Sequence, residues 1–424
     1  MNLPVCAVFD VGKTNKKLFL FDENYQIVFE KNDTLPETTD EDGFPCEDVA
    51  LLSDWVIGAW QMVNVLPGFD IKAVNFSGYG ASLVNLGADL KPATPLYNYL
   101  KPYPEDLQKQ FYDAWRGEET FATVTASPVL GHLNSAMLLY RLSHQKPDLF
   151  AQIKYSLHLP QYLSFLISGQ CHSDITSIGC HTNLWDFQKN QYHQWVTAEG
   201  IDKILAPVHQ SPVLAESSWE GVTGLGLHDS SSALIPYLAS FDEPFLLLST
   251  GTWSITLNPF SQDPLTIGEL RQDCLNYLTY EGQPVKASRL FLGKEHEEGV
   301  HALTEQFGVA ADAFKKVRFE AQYLDESAPE SFEKAYHQLV KSLADRQIQA
   351  IQLAKGNTVV KKVFVDGGFS KNDIYMKLLA KAFADCEVYA ATVAQASALG
   401  AALAIREAWN PRPLPARLVE LTQF

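Results

Sequence analysis

Two strand–turn–strand segments with polar turns constrain the fold of this chain more than any other feature. The first joins apolar runs at 5–9 and 18–21 through a turn rich in hydroxyl, amide and ammonium groups. The second joins apolar runs at 245–248 and 253–257 through a Ser-Thr-Gly-Thr turn. A hairpin that serves only to connect two strands does not need so many polar side chains in its turn. Two halves that each open on this design predict a duplicated architecture.

The segments between and after the hairpins alternate between helical and extended patterns. Apolar residues recur with the helical period over 48–65, and the run at 71–76 is typical of a strand. Further helices are predicted within 105–170 and over 230–238, 330–355, 374–384 and 394–409, and further strands over 82–86, 362–365 and 388–390. This alternation predicts the α/β class.

The length of 424 residues exceeds what one ordinary core accommodates, so we expect two domains. The pattern breaks over residues 239–244, which end in Asp-Glu-Pro. We therefore predict an N-terminal domain over 1–240 and a C-terminal domain over 241–424. The segment 412–424 is predicted to be a poorly ordered tail.

A strongly acidic balance limits the partners of this chain. The net charge is −17 and the pI is near 5.1, so the surface repels nucleic acids and anionic lipid. ATP binding stays open, because a nucleotide site needs only local amides, one or two cations and Mg²⁺. The N-terminus has no basic region of a signal peptide, and no apolar stretch reaches 18 residues. We expect a cytoplasmic protein without a membrane partner.

The cysteine and histidine spacings give little support for a metal site. The six cysteines include no Cys-x-x-Cys pair, which indicates thiols in a reducing compartment. Cys171 and Cys180 flank a predicted hairpin and form a weak candidate pair. His296 and His301 resemble a zinc helix, but five steps of about 100° place them roughly 140° apart on a helix. We predict no metal binding there.

The first polar turn is a candidate phosphate site. Successive backbone N–H groups of a hairpin turn can bind a phosphate, and Asp10 would face Mg²⁺ through water, since Mg²⁺ keeps much of its hydration. The candidate phosphate contacts in this turn are Lys13, Thr14, Asn15, Lys16 and Lys17. The alternative is a hydrophilic hairpin with solvated lysines.

Two later turns are candidates for the same nucleotide. Gly251 allows close backbone approach and Thr252 offers a hydroxyl, although the segment also suits a simple tight turn. Gly367, Gly368 and Asn372 lie between a strand and a helix, where glycines let adenosine or phosphate lie against the backbone. An ordinary loop is the alternative there. Neither a Rossmann nor a Walker A pattern is present.

His228-Asp229 ends a Gly-rich segment just before a predicted helix. A carboxylate at that position is a good N-cap, which is the structural interpretation. It is also a good position for a general base, because the preceding glycines let a substrate come close.

Taken together in this order, the segments resemble the FGGY carbohydrate kinases of the actin-like ATPase superfamily, most closely their rhamnulokinase and fuculokinase branch. The resemblance is carried by Leu-Ser-Thr-Gly-Thr-Trp-Ser at 248–254, His-Asp-Ser-Ser-Ser-Ala at 228–233, Val-Asp-Gly-Gly-Phe-Ser-Lys-Asn at 365–372, the stretch 174–186 and Gln-Ala-Ser-Ala-Leu-Gly at 395–400. It implies two actin-like (ribonuclease H-like) domains with a ligand cleft between them. ATP would bind mainly to the C-terminal domain and sugar mainly to the N-terminal one.

The resemblance also implies roles for single residues. Asp229 would be the general base, residues 13–17 and Thr252 would contact phosphates, and Gly368 with its neighbours would contact adenosine. The sugar pocket would be lined by Gly80, Ser82, His228, Ser230 and Tyr280. The chain departs from the pattern at 79–82, 98–100 and 280–282, where the family has Trp-Gly-x-Asp, Arg-Asp and Asn-Glu-Gly. All three departures fall at the substrate end.

The function that follows is transfer of the ATP γ-phosphoryl group to a hydroxyl of a ketose that resembles L-rhamnulose or L-fuculose, with Mg²⁺ as cofactor. Two alternatives stay open: an actin-like ATPase that hydrolyses ATP without sugar, and a sugar sensor without kinase activity. The expected partners are ATP and a small sugar, and a homodimer is left open.

Overall fold

The computed structural model describes residues 2–209, 211–214, 219–325 and 327–424 of the chain. Within them the strands are β1 (Leu3–Val11), β2 (Asn15–Asp22), β3 (Ile27–Thr34), β4 (Glu37–Thr39), β5 (Pro45–Glu47), β6 (Phe69–Gly78), β7 (Leu83–Leu86), β8 (Tyr155–His158), β9 (Trp185–Asp186), β10 (Gln191–Tyr192), β11 (Val213–Leu214), β12 (Val222–Gly224), β13 (Leu227–His228), β14 (Phe245–Thr250), β15 (Ser254–Asn258), β16 (Cys274–Leu278), β17 (Pro284–Leu290), β18 (Lys362–Gly367), β19 (Glu387–Thr392) and β20 (Glu420–Gln423).

The helices of the same described ranges include one long helix in each half, α1 and α12. They are α1 (Val49–Asn64), α2 (Glu105–Ala114), α3 (Glu118–Thr125), α4 (Ala136–Gln145), α5 (Pro147–Phe150), α6 (Leu159–Ser168), α7 (Ile175–Ile178), α8 (Gln194–Ala198), α9 (Asp229–Leu238), α10 (Ile267–Leu270), α11 (Leu292–Phe307), α12 (Phe332–Lys355), α13 (Asp373–Ala382), α14 (Ala396–Ala404) and α15 (Arg406–Trp409). Short 3₁₀ turns lie at Gly131–Leu133, Ile201–Lys203, Ala313–Lys316, Ala321–Leu324 and Gly368–Lys371.

The first large sheet has the strand order β11-β12-β6-β1-β2-β3, with β13 also paired to β6. Its first three strands in sequence, β1, β2 and β3, are antiparallel neighbours. Strand β1 is parallel to β6, and β6 is parallel to both β12 and β13. The parallel strands therefore all present their carboxyl ends at one edge of the sheet.

The second large sheet repeats this plan in the order β16-β17-β15-β14-β18-β19-β20. Strands β14, β15 and β17 are antiparallel neighbours, and β14 continues into the parallel pair β18 and β19. Both predicted polar hairpins are thus real hairpins, β1–β2 and β14–β15, at equivalent positions of two similar sheets. This confirms the α/β class and the duplicated architecture.

The chain divides into two compact units. Unit 1 comprises the residues through Pro236 together with Asn276–Gln283 and Gln395–Leu418. Unit 2 comprises Tyr237–Leu275, Pro284–Ala394 and Val419–Phe424. Two segments that are distant in sequence therefore belong to unit 1 and supply side chains to it. The predicted domains 1–240 and 241–424 stay a prediction.

The core of unit 1 follows from the amphipathic helix α1. Asp48 caps its N-terminus by accepting hydrogen bonds from two backbone N–H groups. The helix buries Leu52, Val56, Ala59 and Val63 in the same apolar cluster as strands β1 and β2. Burial of each Leu or Val side chain contributes about 1.5–3 kcal/mol, so packing rather than helix propensity holds α1 in place.

Three expectations about local structure are corrected. The tail is ordered at its end, because β20 pairs with β19 and satisfies backbone groups that the sheet edge would otherwise expose. The predicted helical region 105–170 contains β8, which pairs with β7. The predicted helix 394–409 is two helices, separated at Ile405. No helix in the described ranges is both long and apolar enough to cross a bilayer.

Candidate functional site

The ends of three neighbouring strands define the candidate site of unit 1. Val11 of β1 lies opposite Gly78 of β6, and Gly78 lies opposite His228 of β13. All three strands are parallel, so the residues at their carboxyl ends meet at one edge of the sheet, where α/β proteins bind ligands. Asp10 and Asp229 come together there.

Asp10 lies in β1 with its carboxylate held by helix α14. Ser397 donates a hydrogen bond from Oγ to Oδ2 of Asp10 at 3.0 Å. Desolvation raises the pKa of Asp10 to about 6, and the negative charge of Asp229 adds to that rise, while Ser397, Ser77 and Lys17 oppose it. Asp10 is therefore a carboxylate that lacks full charge compensation within the protein.

Asp229 is the first residue of α9, with 38% of its side chain exposed. Its Oδ1 accepts hydrogen bonds from the backbone N of Ser230 at 2.6 Å and from Ser230 Oγ at 3.3 Å. Desolvation raises the pKa of this carboxyl to about 6 in spite of these hydrogen bonds. The group is thus ionised but basic near neutral pH, as a general base should be.

His228 lies next to Asp229 in a buried position. Its Nε2 is 3.3 Å from Oδ1 of Asp229 and 3.0 Å from Sγ of Cys180. Burial lowers the pKa of His228 to about 3, so the imidazole is neutral at physiological pH. A Cβ atom at Gly80 would lie 2.8 Å from the His228 ring, which explains why glycine is required there.

The five residues of the first turn have different environments. Thr14 and Asn15 are exposed at the hairpin turn, and Lys13 forms an ion pair with Glu37 at 3.0 Å. Lys17 donates a hydrogen bond to Oε1 of Gln395 at 3.1 Å and lowers the pKa of Asp10. Among the lysines of this turn, Lys17 is the one whose charge acts on the carboxylate site.

Lys16 points to the other side of β2, into the core. Its side chain is 1% exposed and forms a short ion pair with Glu47, whose other oxygen accepts a hydrogen bond from Tyr79. The same ammonium donates to the backbone carbonyls of Gly12 at 2.9 Å and Lys13 at 3.0 Å. The structure therefore assigns Lys16 to a buried network that fixes the turn, and we do not carry it forward as a phosphate contact.

Helix α14 reaches the site because its residues are small. Asn75 donates a hydrogen bond to the carbonyl of Ala401 at 2.7 Å, and Ser232 donates to the carbonyl of Ser397 at 2.7 Å. A Cβ atom at Gly400 would lie 1.8 Å from the carbonyl oxygen of Ser232. Helix α14 therefore packs closely on β6 and α9, and this packing places Ser397 against Asp10.

Replacing Gly400 by Ala is expected to destabilise unit 1 by about 1–3 kcal/mol, because the added methyl group meets backbone of α9. The matched control is Gly58→Ala in α1, where a Cβ meets nothing within 4 Å. That control should gain about 0.5–1 kcal/mol of helix propensity. Thermal unfolding of both variants decides the matter, and a Gly400→Ala variant as stable as wild type would contradict the packing described here.

In unit 2 the equivalent strand ends bring two glycine turns together. Thr250 of β14 lies opposite Gly367 of β18. The backbone N of Phe369 donates to Oγ1 of Thr250 at 3.1 Å. Gly367 has φ +90°, and a Cβ there would lie 1.9 Å from the carbonyl oxygen of Thr250. Only glycine allows this close approach.

A cavity of about 570 Å³ lies beside these turns, a volume within the range of small-ligand sites. Its walls combine glycine backbone, aromatic rings and basic side chains. They comprise the glycines Gly251, Gly293 and Gly368, the rings of His296, Phe314, Tyr336 and Phe369, the basic residues Lys315, Arg318 and Lys371, and also Val317, Asn372 and Asp373. Aromatic rings can stack on a flat nucleobase, and basic side chains can bind phosphate groups.

The aromatic wall of this cavity is held by hydrogen bonds. Tyr336 OH is 2.9 Å from Nε2 of His296 and accepts a hydrogen bond from Nδ2 of Asn372 at 2.8 Å. The His296 ring packs edge-on to Phe314 and Phe369. His296 lines the cavity, whereas His301 is exposed and lies near Glu305.

The structure thus collects some of the predicted residues and separates others. Gly251, Gly368 and Asn372 line one cavity in unit 2, whereas Thr252 and Gly367 are not among its lining residues. Ser82 is buried, and its carbonyl accepts a hydrogen bond from the backbone N of Leu159.

Two tyrosines of the segment 276–283 have different surroundings, and the predicted substrate contact of Tyr280 stays a prediction. The His228 ring packs on Tyr277 at 5.5 Å, whereas the charges that act on Tyr280 come from Glu281, Arg406 and Glu407. Tyr277 was missed because it lies in a strand pattern without any motif. The cavity residues between 293 and 318, apart from His296, lie in helix α11 and in the segment after it, where no motif marks them either.

Comparison with protein families extends over most of the chain. Residues 5–224 match the model of the N-terminal domain of the FGGY family of carbohydrate kinases, and residues 318–408 match its C-terminal domain. A rhamnulokinase from Mannheimia succiniciproducens is 23% identical over 262 residues, which are 59% of this chain and 52% of that protein. The chain spans about half the length of the curated relatives it matches.

Solved structures share the fold. A carbohydrate kinase from Novosphingobium aromaticivorans superposes with a TM-score of 0.79 at 23% identity, covering 100% of this chain and 94% of that one. A ligand-bound xylulose kinase from Lactobacillus acidophilus gives 0.81 at 17% identity, covering 99% and 93%. The two halves of this chain thus have the actin-like fold of these kinases.

Proposed function

Because this chain belongs to the FGGY family of carbohydrate kinases, we propose that it transfers the γ-phosphoryl group of ATP to a hydroxyl of a small sugar. Unit 1 would supply the base and the sugar contacts, and unit 2 would bind the nucleotide. The observation that supports this most directly is the pair of carboxylates at the strand ends of unit 1. Both have pKa values raised to about 6.

The base in this proposal is Asp229. A sugar hydroxyl beside it would hydrogen-bond to the carboxylate and lose its proton as its oxygen attacks phosphorus. Such assistance is worth about 10²–10⁴-fold. The neutral imidazole of His228 would hold Oδ1 through Nε2 without competing for the proton, since burial keeps His228 uncharged.

The nucleotide in this proposal occupies the cavity of unit 2. The rings of His296, Phe314 and Phe369 would face the adenine base of ATP. Lys315 and Arg318 would attract its phosphate oxygens. The backbone of Gly251 and Gly368 would lie against the nucleotide. Phosphoryl transfer depends mostly on positioning and charge stabilisation, which this set of groups can provide.

Asp10 would hold the divalent cation. Its carboxylate is poorly compensated, and its neighbours are hydroxyls and another carboxylate, all oxygen ligands of the kind that Mg²⁺ prefers. When bound, such a cation would neutralise charge on the transferring phosphate. The ammonium of Lys17 would help to neutralise the same negative charge on the phosphate.

For the substrate we propose a ketose that resembles L-rhamnulose or L-fuculose. This rests on the likeness to rhamnulokinases and on the His228-Asp229-Ser230 segment. The structure adds that Ala81, within the loop 79–82, has a positive φ of 64° although it is not glycine. Such backbone is kept where surrounding contacts demand it.

The activity should fall as pH decreases through about 6, because protonation of Asp229 removes the base. The sign follows from the raised pKa: the ionised form dominates above 6 and disappears below it. Asp10 titrates in the same range, so the acid limb belongs to the coupled pair. A kcat/KM profile between pH 4.5 and 8.5, measured by direct detection of sugar phosphate, tests this. A flat profile down to pH 4.5 would contradict the assignment.

A screen for sugar-dependent ADP release tests the function itself. It should cover ketoses and polyols, including L-rhamnulose, L-fuculose, xylulose and ribulose, with Mg·ATP in excess. The expected result is one equivalent of sugar phosphate for each ADP. ADP release without sugar and without phosphorylated product would favour the actin-like ATPase, and sugar binding without ATP consumption would favour the sensor.

A further inference from the structure

A buried group of metal-ligating side chains lies directly behind the proposed base. Cys180, His181 and His228 each place one ligand atom within 4.8 Å of the others, and all three side chains are buried. It is the one such group of three His, Cys, Asp or Glu residues found among the described residues. Of the candidate pair Cys171 and Cys180, only Cys180 belongs to this group.

The two imidazoles can present unprotonated nitrogens to this space. Nδ1 of His181 lies 2.8 Å from the carbonyl oxygen of Leu133, and a carbonyl only accepts, so Nδ1 carries the proton and Nε2 is the ligand nitrogen. A backbone partner on the other ring nitrogen is the usual orientation of a metal-bound histidine. Nδ1 of His228 has no hydrogen-bond partner among the described residues, so the ring proton that Nε2 directs toward Asp229 can move to Nδ1 when Nε2 binds a cation.

A carboxylate adjoins His228 but lies outside this group of three mutually close ligand atoms. Nε2 of His228 is 3.0 Å from Cys180 Sγ and 3.3 Å from Asp229 Oδ1. Thiolate, two imidazoles and a carboxylate form a donor set that Zn²⁺ accepts with tetrahedral geometry. Asp229, 38% exposed, connects this buried space to solvent.

We infer that Cys180, His181 and His228 form a binding site for Zn²⁺ or a similar soft divalent cation, completed by Asp229. Binding would release the thiol proton of Cys180 to solvent, and the imidazoles would bind as neutral ligands. With metal–ligand distances of about 2.3 Å to sulfur and about 2.0 Å to nitrogen, the Sγ–Nε2 separation would widen to roughly 3.5 Å. That change is within reach of side-chain rotation.

Occupancy of this site has a consequence for catalysis that rests on the proposed function. A carboxylate bound to Zn²⁺ cannot accept the proton of a sugar hydroxyl. Zn²⁺ at this site would therefore inhibit the kinase, while Mg²⁺, which prefers oxygen ligands, would not bind there. The site would make the enzyme sensitive to free zinc.

Co²⁺ titration of the metal-free full chain under reducing conditions tests the binding. Co²⁺ bound to a thiolate gives a charge-transfer band in the near ultraviolet, which oxygen and nitrogen ligands alone do not give. We expect this band for wild type and for the matched control Cys171→Ser, and its loss in Cys180→Ser. His181→Gln should weaken Co²⁺ binding at least about tenfold. Zn²⁺ should displace Co²⁺ and remove the band.

Absence of the band in wild type, or its survival in Cys180→Ser, would overturn the site. If Cys180→Ser does not fold, as judged by its thermal unfolding, His181→Gln decides, and unchanged Co²⁺ affinity in that variant overturns the site. These readouts do not depend on kinase activity, so they stand even if the proposed function fails.

The inhibition is tested separately with sugar-dependent ADP release at a constant excess of Mg·ATP. Zn²⁺ should inhibit wild type and Cys171→Ser, a chelator should restore activity, and Cys180→Ser should stay active at Zn²⁺ concentrations at least about tenfold higher. Equal sensitivity of all variants would overturn the inhibitory role, because the inhibition would then arise elsewhere.

Discussion

Replacing Asp229 by Asn should lower turnover about 10²–10⁴-fold, because the amide cannot accept the proton of the sugar hydroxyl. The KM for ATP should change little, since the residues that line the cavity of unit 2 do not include Asp229. Initial rates of sugar phosphate formation at saturating ATP measure the first quantity, and ATP titration measures the second.

The control for this substitution is Asp48→Asn, another exchange at the start of a helix. Asp48 accepts two backbone N–H groups at the N-terminus of α1, and Asn caps a helix as well as Asp does. Asp48→Asn should therefore keep near wild-type turnover. Similar turnover in wild type and Asp229→Asn would reduce Asp229 to the helix-capping role that its position also suits.

The Asp229→Asn variant should be slightly more stable than wild type at pH 8. A carboxyl whose folded pKa is raised to about 6 from 3.8 opposes folding once it ionises, so the destabilisation is present above pH 6 and absent below pH 4. Because 38% of the side chain is exposed, we expect a gain of at most about 1 kcal/mol at pH 8. A stable and inactive Asp229→Asn excludes misfolding as the cause of lost turnover.

Replacing Glu47 by Leu should cost about 3–5 kcal/mol of unfolding free energy, because it leaves the buried ammonium of Lys16 without its carboxylate. Tyr79 loses its hydrogen-bond acceptor in the same step. The turn residues Gly12 and Lys13, whose carbonyls bind Lys16, should become more mobile. Thermal unfolding measures the cost, and amide hydrogen exchange in β2 shows where it falls.

The matched control is the double variant Lys16→Met with Glu47→Leu. Replacing both members of a buried ion pair by apolar residues of similar size is often neutral. The double variant should therefore recover most of the stability that Glu47→Leu loses, and the cycle gives the coupling energy of the pair. A Glu47→Leu variant within about 1 kcal/mol of wild type would show that the network is not stabilising.

The fold could be predicted largely because its signals are local. The hairpins β1–β2 and β14–β15 follow from short apolar runs around turn residues, and helix α1 follows from its apolar period. The end of the chain could not be predicted this way, since β20 exists only because the edge of β19 lies beside it. Its pairing partner is about thirty residues distant in sequence.

The candidate site was predicted less completely. Asp229, His228 and Gly80 were found because glycines and a motif surround them, and the structure places them together. Lys16 was misread because both faces of β2 are apolar: Leu18 and Phe19 are equally buried, so alternation does not say which lysine points inward. Glu47, distant in sequence, decides it.

The sequence by itself determined the α/β class, the two polar hairpins and the carboxylate that begins α9. These depend on hydrogen bonds and apolar periods between residues close in the chain. Only the tertiary structure decided that Lys17 rather than Lys16 acts on Asp10, that Tyr277 packs on His228, and that Cys180 and His181 join it. Those contacts arise because the chain path brings distant segments to the same strand ends, where burial and charge select among the side chains.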